Sequence, residues 1–245
     1  MAERERPEWA EWADWVRERD DPKIAGTKPE ALDHLLVLDL SSRNMGGCYC
    51  SSLLAELGAE TIRIEPPEGD FARTFTPYGI THMGVGLAYL HEGRNKHHIT
   101  LNLETPEGQK MLKGLVSRAD VLIETYKPGV MDNWGIGYEE LSKINPRLIY
   151  TSFYTYGQFG AKSNCGMPDY NNVDEALAHV QYATGEILPP GKTYDDMPWA
   201  VPTKAGNWLT WYVAGGFAAI SILAALHYRR LTERGRPSTS RSLRL

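Results

Sequence analysis

The chain has 245 residues, 42% of them hydrophobic, enough to bury a sizeable core in one or two domains. A formal charge of −5 and an isoelectric point near 5.8 leave no basic field for a nucleic-acid backbone, so no nucleic-acid partner is expected. Cys48, Cys50 and Cys165 form an odd set without C-x-x-C spacing, and the charged start MAERERPEWAEW is unlike a secretory leader, which predicts a reduced, cytoplasmic protein.

In chain order, Pro7 opens a stretch in which Trp9, Trp12 and Trp15 recur at helical spacing. Residues 1–33 are therefore read as a Trp-rich helical extension, its aromatic face packing either on the same chain or on a partner subunit. Residues 34–206 then alternate in period. A continuous apolar run at 35–40 reads as a buried parallel strand, 50–57 as a helix stopped by Gly58, and 60–64 as the next strand. The pattern repeats with a strand at 98–103, a helix at 106–117 capped by Thr105 and weakened at Gly108, and a strand at 121–123. A helix at 138–144, stopped by Asn145 and Pro146, leads into a strand at 148–153. Such alternation predicts an open, doubly wound (Rossmann-like) α/β parallel sheet with ligands beyond the carboxyl ends of its strands. Residues 208–226 carry no charge and are long enough to span a membrane. Their glycines and alanines, followed by Arg229 and Arg230, favour instead a buried helix with close neighbours, within a unit spanning 207–235. A basic tail, RPSTSRSLRL, occupies 236–245.

Several loops carry candidate chemistry. SSRNMGG at 41–47 ends the first strand: its glycines let the backbone approach a ligand, and the helix that follows offers unpaired N–H groups to an anion. A plain strand-to-helix turn is the alternative. Glu65 and Asp70, in the loop opened by Pro66 and Pro67, read as solvated turn charges rather than an acid–base pair. Lys96, just before a strand, can meet a phosphate as a mobile point charge. His97 and His98 point to opposite faces, which argues against a shared metal, and Cys48 and Cys50 read as small buried apolar groups; no metal is expected.

Three blocks, LLVLDLSSRNMGGCYCSSLLAELGAETIRIEPPEGD (35–70), GRNKHHITLNLETPEGQKMLKGLVSRAD (93–120) and ADVLIETYKPGVMDNWGIGYEELSKINPRLIYTSFYTYGQFG (119–160), resemble in order the class III CoA-transferases, the formyl-CoA and carnitine CoA-transferase family. The likeness continues to about residue 235. It implies a CoA-binding Rossmann-like sheet without the family's second domain, a CoA thioester and a carboxylic acid as ligands, and a homo- or hetero-oligomer with a paralogue. It places Arg43, Asn44 and Met45 against the thiol arm and acyl group, and Asn95 and Lys96 beside the nucleotide. Thr125, Tyr126, Lys127, Val130, Asn133, Trp134, Tyr154 and Tyr156 complete the implied CoA contacts, Tyr126 offering a ring to adenine and Lys127 a charge to phosphate. Thr125 stands where the family usually has Asn, and Asn133 where Arg is common. Core packing is the alternative for Tyr126 and Trp134.

The segment CGMPDYNNVDEALAHV (165–180) is similar to the family's G-x-x-x-Y-D-x-x-x-Q-A, in which the Asp is the nucleophile that attacks the thioester. Asn171 occupies that position here. An amide cannot do the work, because its nitrogen lone pair is delocalised and its oxygen carries no full charge. Asp169 is the nearby substitute; the alternative is that Asp169 caps the next helix while Asp174 and Glu175 sit in its first turn. In the family's racemases the catalytic His would fall on Tyr170 and the distal Asp near Trp211, so neither role is filled. The chain thus reads as a transferase subunit or its non-catalytic partner, or as a truncated scaffold that binds no CoA. The family continues past its G-R-G turn with a strand like V-D-V-S-x-x-E-A. One coding string for Arg236 to Leu245, read two bases later, gives AVDVSLLEA, so either a frameshift follows Gly235 or the basic tail is real.

Overall fold

In the computed structural model, residues 30–163, 171–232 and 237–239 are described. The apolar runs become neighbouring parallel strands because helical crossovers separate them: β1 (Leu36–Leu40), β2 (Glu60–Glu65) and β6 (Val121–Glu124). With β5 (Lys96–Thr100), β7 (Ile149–Ser152) and β8 (Pro237–Thr239), the sheet order is β5-β2-β1-β6-β7-β8, parallel throughout. A two-residue hairpin pairs β3 (Thr81–His82) with β4 (Val85–Gly86) outside that sheet and leads into α2 (Leu87–Glu92). Pro237 lies in the edge strand β8, where a missing N–H is tolerated.

Side chains alternate along each strand, and both faces are covered. On one face Val37, Val121, Ile123 and Ile149 pack with Cys50 and Leu54 of α1 (Met45–Glu56) and with Ala218 and Ile222 of α8 (Leu209–Thr232). On the other, Leu38, Leu40, Ile64 and Leu122 meet Leu112 and Val116 of α3 (Pro106–Val116) and Leu141 of α5 (Tyr138–Ile144). Two covered faces explain why these strands read as unbroken apolar runs, each fully buried Leu or Ile contributing about 1.5–3 kcal/mol. The doubly wound α/β sheet expected from the sequence is the fold observed.

Three boundaries differ from expectation, each for a packing reason. Helix α1 begins at Met45 rather than at residue 50, capped by Asn44, whose Oδ1 accepts from the Gly46 amide at 2.8 Å. Gly46 and Gly47 lie inside its first turn, because a Cβ on Gly46 would sit 2.5 Å from the Trp211 carbonyl oxygen of α8 and one on Gly47 2.1 Å from Ser41 Cβ. Gly46 thus serves the close approach of α8, and Gly47 that of the loops after β1 and β6. Strand β5 runs from Lys96 to Thr100 instead of 98–103, and residues 101–104 leave the sheet. Helix α8 is long and apolar enough to cross a membrane, yet the structure lays one side of it, including Ala214, Gly215, Ala218 and Ile222, against α1 and the sheet, while Phe217, Ile220 and Leu231 are exposed. It is buried along one side only. The expected Trp-rich extension lies outside the described residues up to residue 29, as does the basic tail apart from β8.

Candidate functional site

Strand order reverses between β1 and β6, the place in an open parallel sheet where a ligand crevice is expected at the carboxyl ends of the strands. Thr125 stitches the loops after these two strands together: its Oγ1 accepts from the Ser42 amide and donates to the Ser42 carbonyl, both at 2.9 Å. Arg43 adopts the left-handed region (φ 58°), and its amide donates to both carboxylate oxygens of Asp70 at 3.3 and 3.2 Å, tying the β1 loop to the β2 loop. The Arg43 guanidinium lies 5.8 Å from the centre of the Phe71 ring.

A cleft of about 310 Å³ opens beside this junction, walled by Ser42 and Arg43, by Pro66, Pro67 and Glu68 after β2, by 101–104 after β5, and by Tyr126 and Trp134. Tyr126 and Trp134, at the end of α4 (Val130–Asn133), meet edge to face at 5.2 Å. Among the cleft's carboxylates, Glu65 is already engaged: Arg73 donates to it at 2.6 and 2.9 Å, and Tyr89 and the Asp70 amide donate as well. Burial would raise its pKa, but the bonds from His98, Arg73, Tyr89 and the Asp70 amide hold it well below the usual carboxylate range. The arrangement offers one guanidinium and an aromatic pair to a ligand with an anionic and a planar part.

Of the residues expected at a CoA site, the structure brings Arg43, Tyr126 and Trp134 to the cleft wall. Asn44 caps α1, Thr125 ties the loops, and Met45 is fully buried in a cluster with Cys48, Tyr89 and Trp211. Lys127 and Asn133 are exposed, and Val130 is half-buried at the start of α4. Asn95 is exposed with φ 56°, and the Tyr154 and Tyr156 rings lie 6.1 Å apart after β7. Residues Leu101, Asn102, Leu103 and Glu104 line the cleft and were missed, because the strand before them was read three residues too long.

Lys96 is a correction. Its ammonium does not reach for a phosphate but turns inward, donating to the Cys48 carbonyl and Ser51 Oγ, both at 2.7 Å, and lying 3.6 Å from Asp39 Oδ2. Asp39 sits on the α1 side of β1, and Arg63 of β2 donates to it at 2.7 Å from Nη1. Burial by itself would raise the Asp39 pKa, yet Arg63, Lys96 and the hydroxyls of Ser41 and Ser51 outweigh it and hold the carboxyl below its ordinary value. The sequence carried part of the signal: an Asp inside LVLDL must either meet a buried cation or hold a proton. Beside this network Cys48 and Cys50 are free and buried, and burial pushes the Cys48 thiol up to about 11. Among the described residues no group of three His, Cys, Asp or Glu is placed to hold a metal.

The position to which the resemblance assigns the nucleophile opens α6 (Asn171–Leu177), which α7 (Val180–Thr184) follows. Asn171 is buried, its Nδ2 donates to Glu175 Oε1 at 2.6 Å, and its Oδ1 accepts from Thr210 of α8 at 2.9 Å. Glu175 also accepts from Lys204 Nζ at 3.4 Å and from the Ala205 amide at 3.2 Å. Asp174 accepts from Trp211 Nε1 at 2.7 Å and from Thr155 at 3.4 Å. Asp174 lies in the first turn of α6, as expected, but both acids are buried acceptors: Asp174 ties α6 to Trp211 of α8, and Glu175 ties it to the 204–205 loop that leads into α8. Asn171 is not part of the cleft wall. Asp169 lies outside the described residues.

Fold and cleft together define a doubly wound α/β domain with a ligand crevice at its switch point. Residues 32–237 match the family described as CoA-transferase family III, and the chain belongs to that family, as the sequence resemblance implied. It is similar to the beta subunit of succinyl-CoA--L-malate CoA-transferase from Chloroflexus aurantiacus, with 38% identity over 190 residues covering 76% of this chain and 43% of the relative. It is also similar to acetyl-CoA:oxalate CoA-transferase from Acetobacter aceti, with 37% identity over 211 residues covering 85% and 50%. Among solved structures, a CAIB/BAIF family protein from Brucella suis is similar at a TM-score of 0.73 and 31% identity, over 86% of this chain and 52% of that one. The chain spans about half the length of the curated relatives it matches.

Proposed function

We propose that this chain binds a CoA thioester in the switch-point cleft as a subunit of a class III CoA-transferase assembly that moves CoA between carboxylic acids, and that it does not itself supply the nucleophile. The observation that carries this reading is the amide at 171. Both ends of that amide are committed, to Glu175 and to Thr210, and neither can attack a thioester carbon. Arg43 and the Tyr126–Trp134 pair support the binding half, as charge for a phosphate and a ring surface for a planar base. Relatives described as alpha and beta subunits of one CoA-transferase support assembly with an active paralogue.

The test is calorimetry with CoA and acetyl-CoA, followed by a thioester-exchange assay on the same protein. Asn171→Asp alone sets a carboxylate where Asn171 Nδ2 donates to Glu175, and two carboxylates so close share a proton rather than both ionise. The variant expected to gain exchange is therefore the double one, Asn171→Asp with Glu175→Gln. Binding by the native chain, with exchange only in the double variant or after addition of a paralogue, is the expected outcome. Exchange by the native chain alone would refute the silent-subunit reading, and absence of CoA binding would leave a scaffold that binds no CoA.

A further inference from the structure

Arg43 is the one lysine or arginine among the described residues that line the cleft. Its φ of 58° lies in the left-handed region, which an L side chain occupies only where its surroundings hold it. Among the described residues four other non-glycines take a positive φ, Tyr78, Met83, Asn95 and His179, and none of them lines the cleft. We propose that Asp70 and Phe71 are positioning residues that hold Arg43 in this conformation and so aim its charge at an anionic group of the cleft's ligand. The inference rests on the reading that the cleft binds a CoA thioester, and it names the residues that act through Arg43 in that site.

Two consecutive residues grip the two ends of the arginine. Asp70 takes the Arg43 amide on both carboxylate oxygens, and the Phe71 ring lies under the guanidinium at 5.8 Å, within cation–π range. The grip on the backbone is buried. Asp70 is 3% exposed, its Oδ1 also accepts from the Ala72 amide at 2.6 Å, and its own amide donates to Glu65 Oε2 at 3.1 Å. Its counter-charge is buried as well: Arg63, 1% exposed, places Nη2 3.4 Å from Asp70 Oδ2 while Nη1 donates to Asp39, which links Asp70 to the network that anchors β1. The residues on either side of Arg43 are fixed in turn, Ser42 by Thr125 and Asn44 by its cap on α1. The grip on the side chain, by contrast, is open. Arg43 is exposed and Phe71 is 50% exposed, so the guanidinium can meet a ligand anion without any buried contact being broken. A fixed backbone under a solvent-facing charge is what a preorganised anion contact needs, because the cost of the left-handed conformation is then met on folding rather than on binding.

A double-mutant cycle on the 245-residue chain, read by calorimetry with CoA, tests it. Asp70→Ala is expected to weaken CoA binding about tenfold by itself but less than about twofold in an Arg43→Ala background, because its effect passes through the arginine. Phe71→Ala, at a half-exposed position that does not endanger the fold, is expected to show the same coupling with a loss of about threefold, and it decides the question if Asp70→Ala does not fold. Salt supplies a readout that a merely structural role would not move. Between about 50 and 300 mM NaCl, binding by the native chain should weaken more steeply than binding by Asp70→Ala, which should follow the shallower dependence of Arg43→Ala. Losses that add in the double variants, or salt dependences that run parallel in all of them, would overturn this inference alone. Absence of CoA binding by the native chain would overturn it together with the proposed function.

Discussion

Asp39 and Glu124 lie near the carboxyl ends of the neighbouring strands β1 and β6, one step apart in register, and both are closed off from water. Asp39 faces the α1 side, where Arg63 and Lys96 flank it. Glu124 is paired in register with Leu40, on the side of α3 and α5, where the Tyr126 amide donates to it at 2.7 Å and the Tyr150 hydroxyl lies 3.4 Å away. Burial pushes the Glu124 carboxyl up to about 8 despite those two bonds, and the Asp132 charge adds to the effect. Asp39, subject to the same desolvation, stays below its ordinary value because its two cations outweigh it. Burial sets the penalty, and the presence of a cation decides whether the group accepts a proton to escape it.

The largest test of this contrast removes the cation. Arg63→Met leaves the Asp39 carboxylate buried with Lys96 alone, and the expected loss is about 3–5 kcal/mol in urea unfolding. A loss below about 1 kcal/mol, the scale of an exposed pair, would show that Arg63 does not hold the charge in place.

Next comes the uncompensated acid. Because the folded-state pKa of Glu124 lies above its unfolded value of 4.5, its contribution to stability is complete below pH 4.5 and falls as pH rises toward about 8. By pH 7 the cost is on the order of 3 kcal/mol. Glu124→Gln keeps the shape and removes the titration, so urea midpoints measured at pH 5, 7 and 8.5 should vary less with pH than in the native protein. Parallel slopes for the two proteins would show that Glu124 is ionised when folded. Asp39 has the opposite sign, since its contribution is present above its unfolded value of 3.8 and is lost as pH falls below that.

The smallest expected effect concerns the seam between the two strands. Thr125→Val removes both bonds to Ser42, and a loss of about 1 kcal/mol is expected, together with weaker CoA binding if the seam shapes the cleft. Unchanged stability with weakened binding would separate the two roles.

How much of this was legible beforehand depends on how local the determinant is. The strands at 60–64 and 121–123 and the helix at 138–144 were readable within two residues, because apolar runs, Asn145 and Pro146 act within one element. Position 171 was legible as an amide at the place the resemblance gives to the family's carboxylate. Its partners were not, because Thr210 lies 39 residues away and arrives only when α8 packs. Gly46 and Gly47 were misread as loop residues because a helix interior normally disfavours glycine; the contacts that need them come from Trp211 and Ser41.

The sequence by itself determined the alternating elements, the parallel doubly wound sheet and membership of CoA-transferase family III, because periodicity and motif order are properties of the chain in one dimension. Only the tertiary structure decided that Lys96 serves Asp39 rather than a ligand, that Glu124 sits without a cation, that 101–104 wall the cleft, and that one side of α8 is left exposed. Each of those depends on which atoms meet across the core, and the free energy of a buried charge or an apolar surface is set by those neighbours rather than by the residue that bears it.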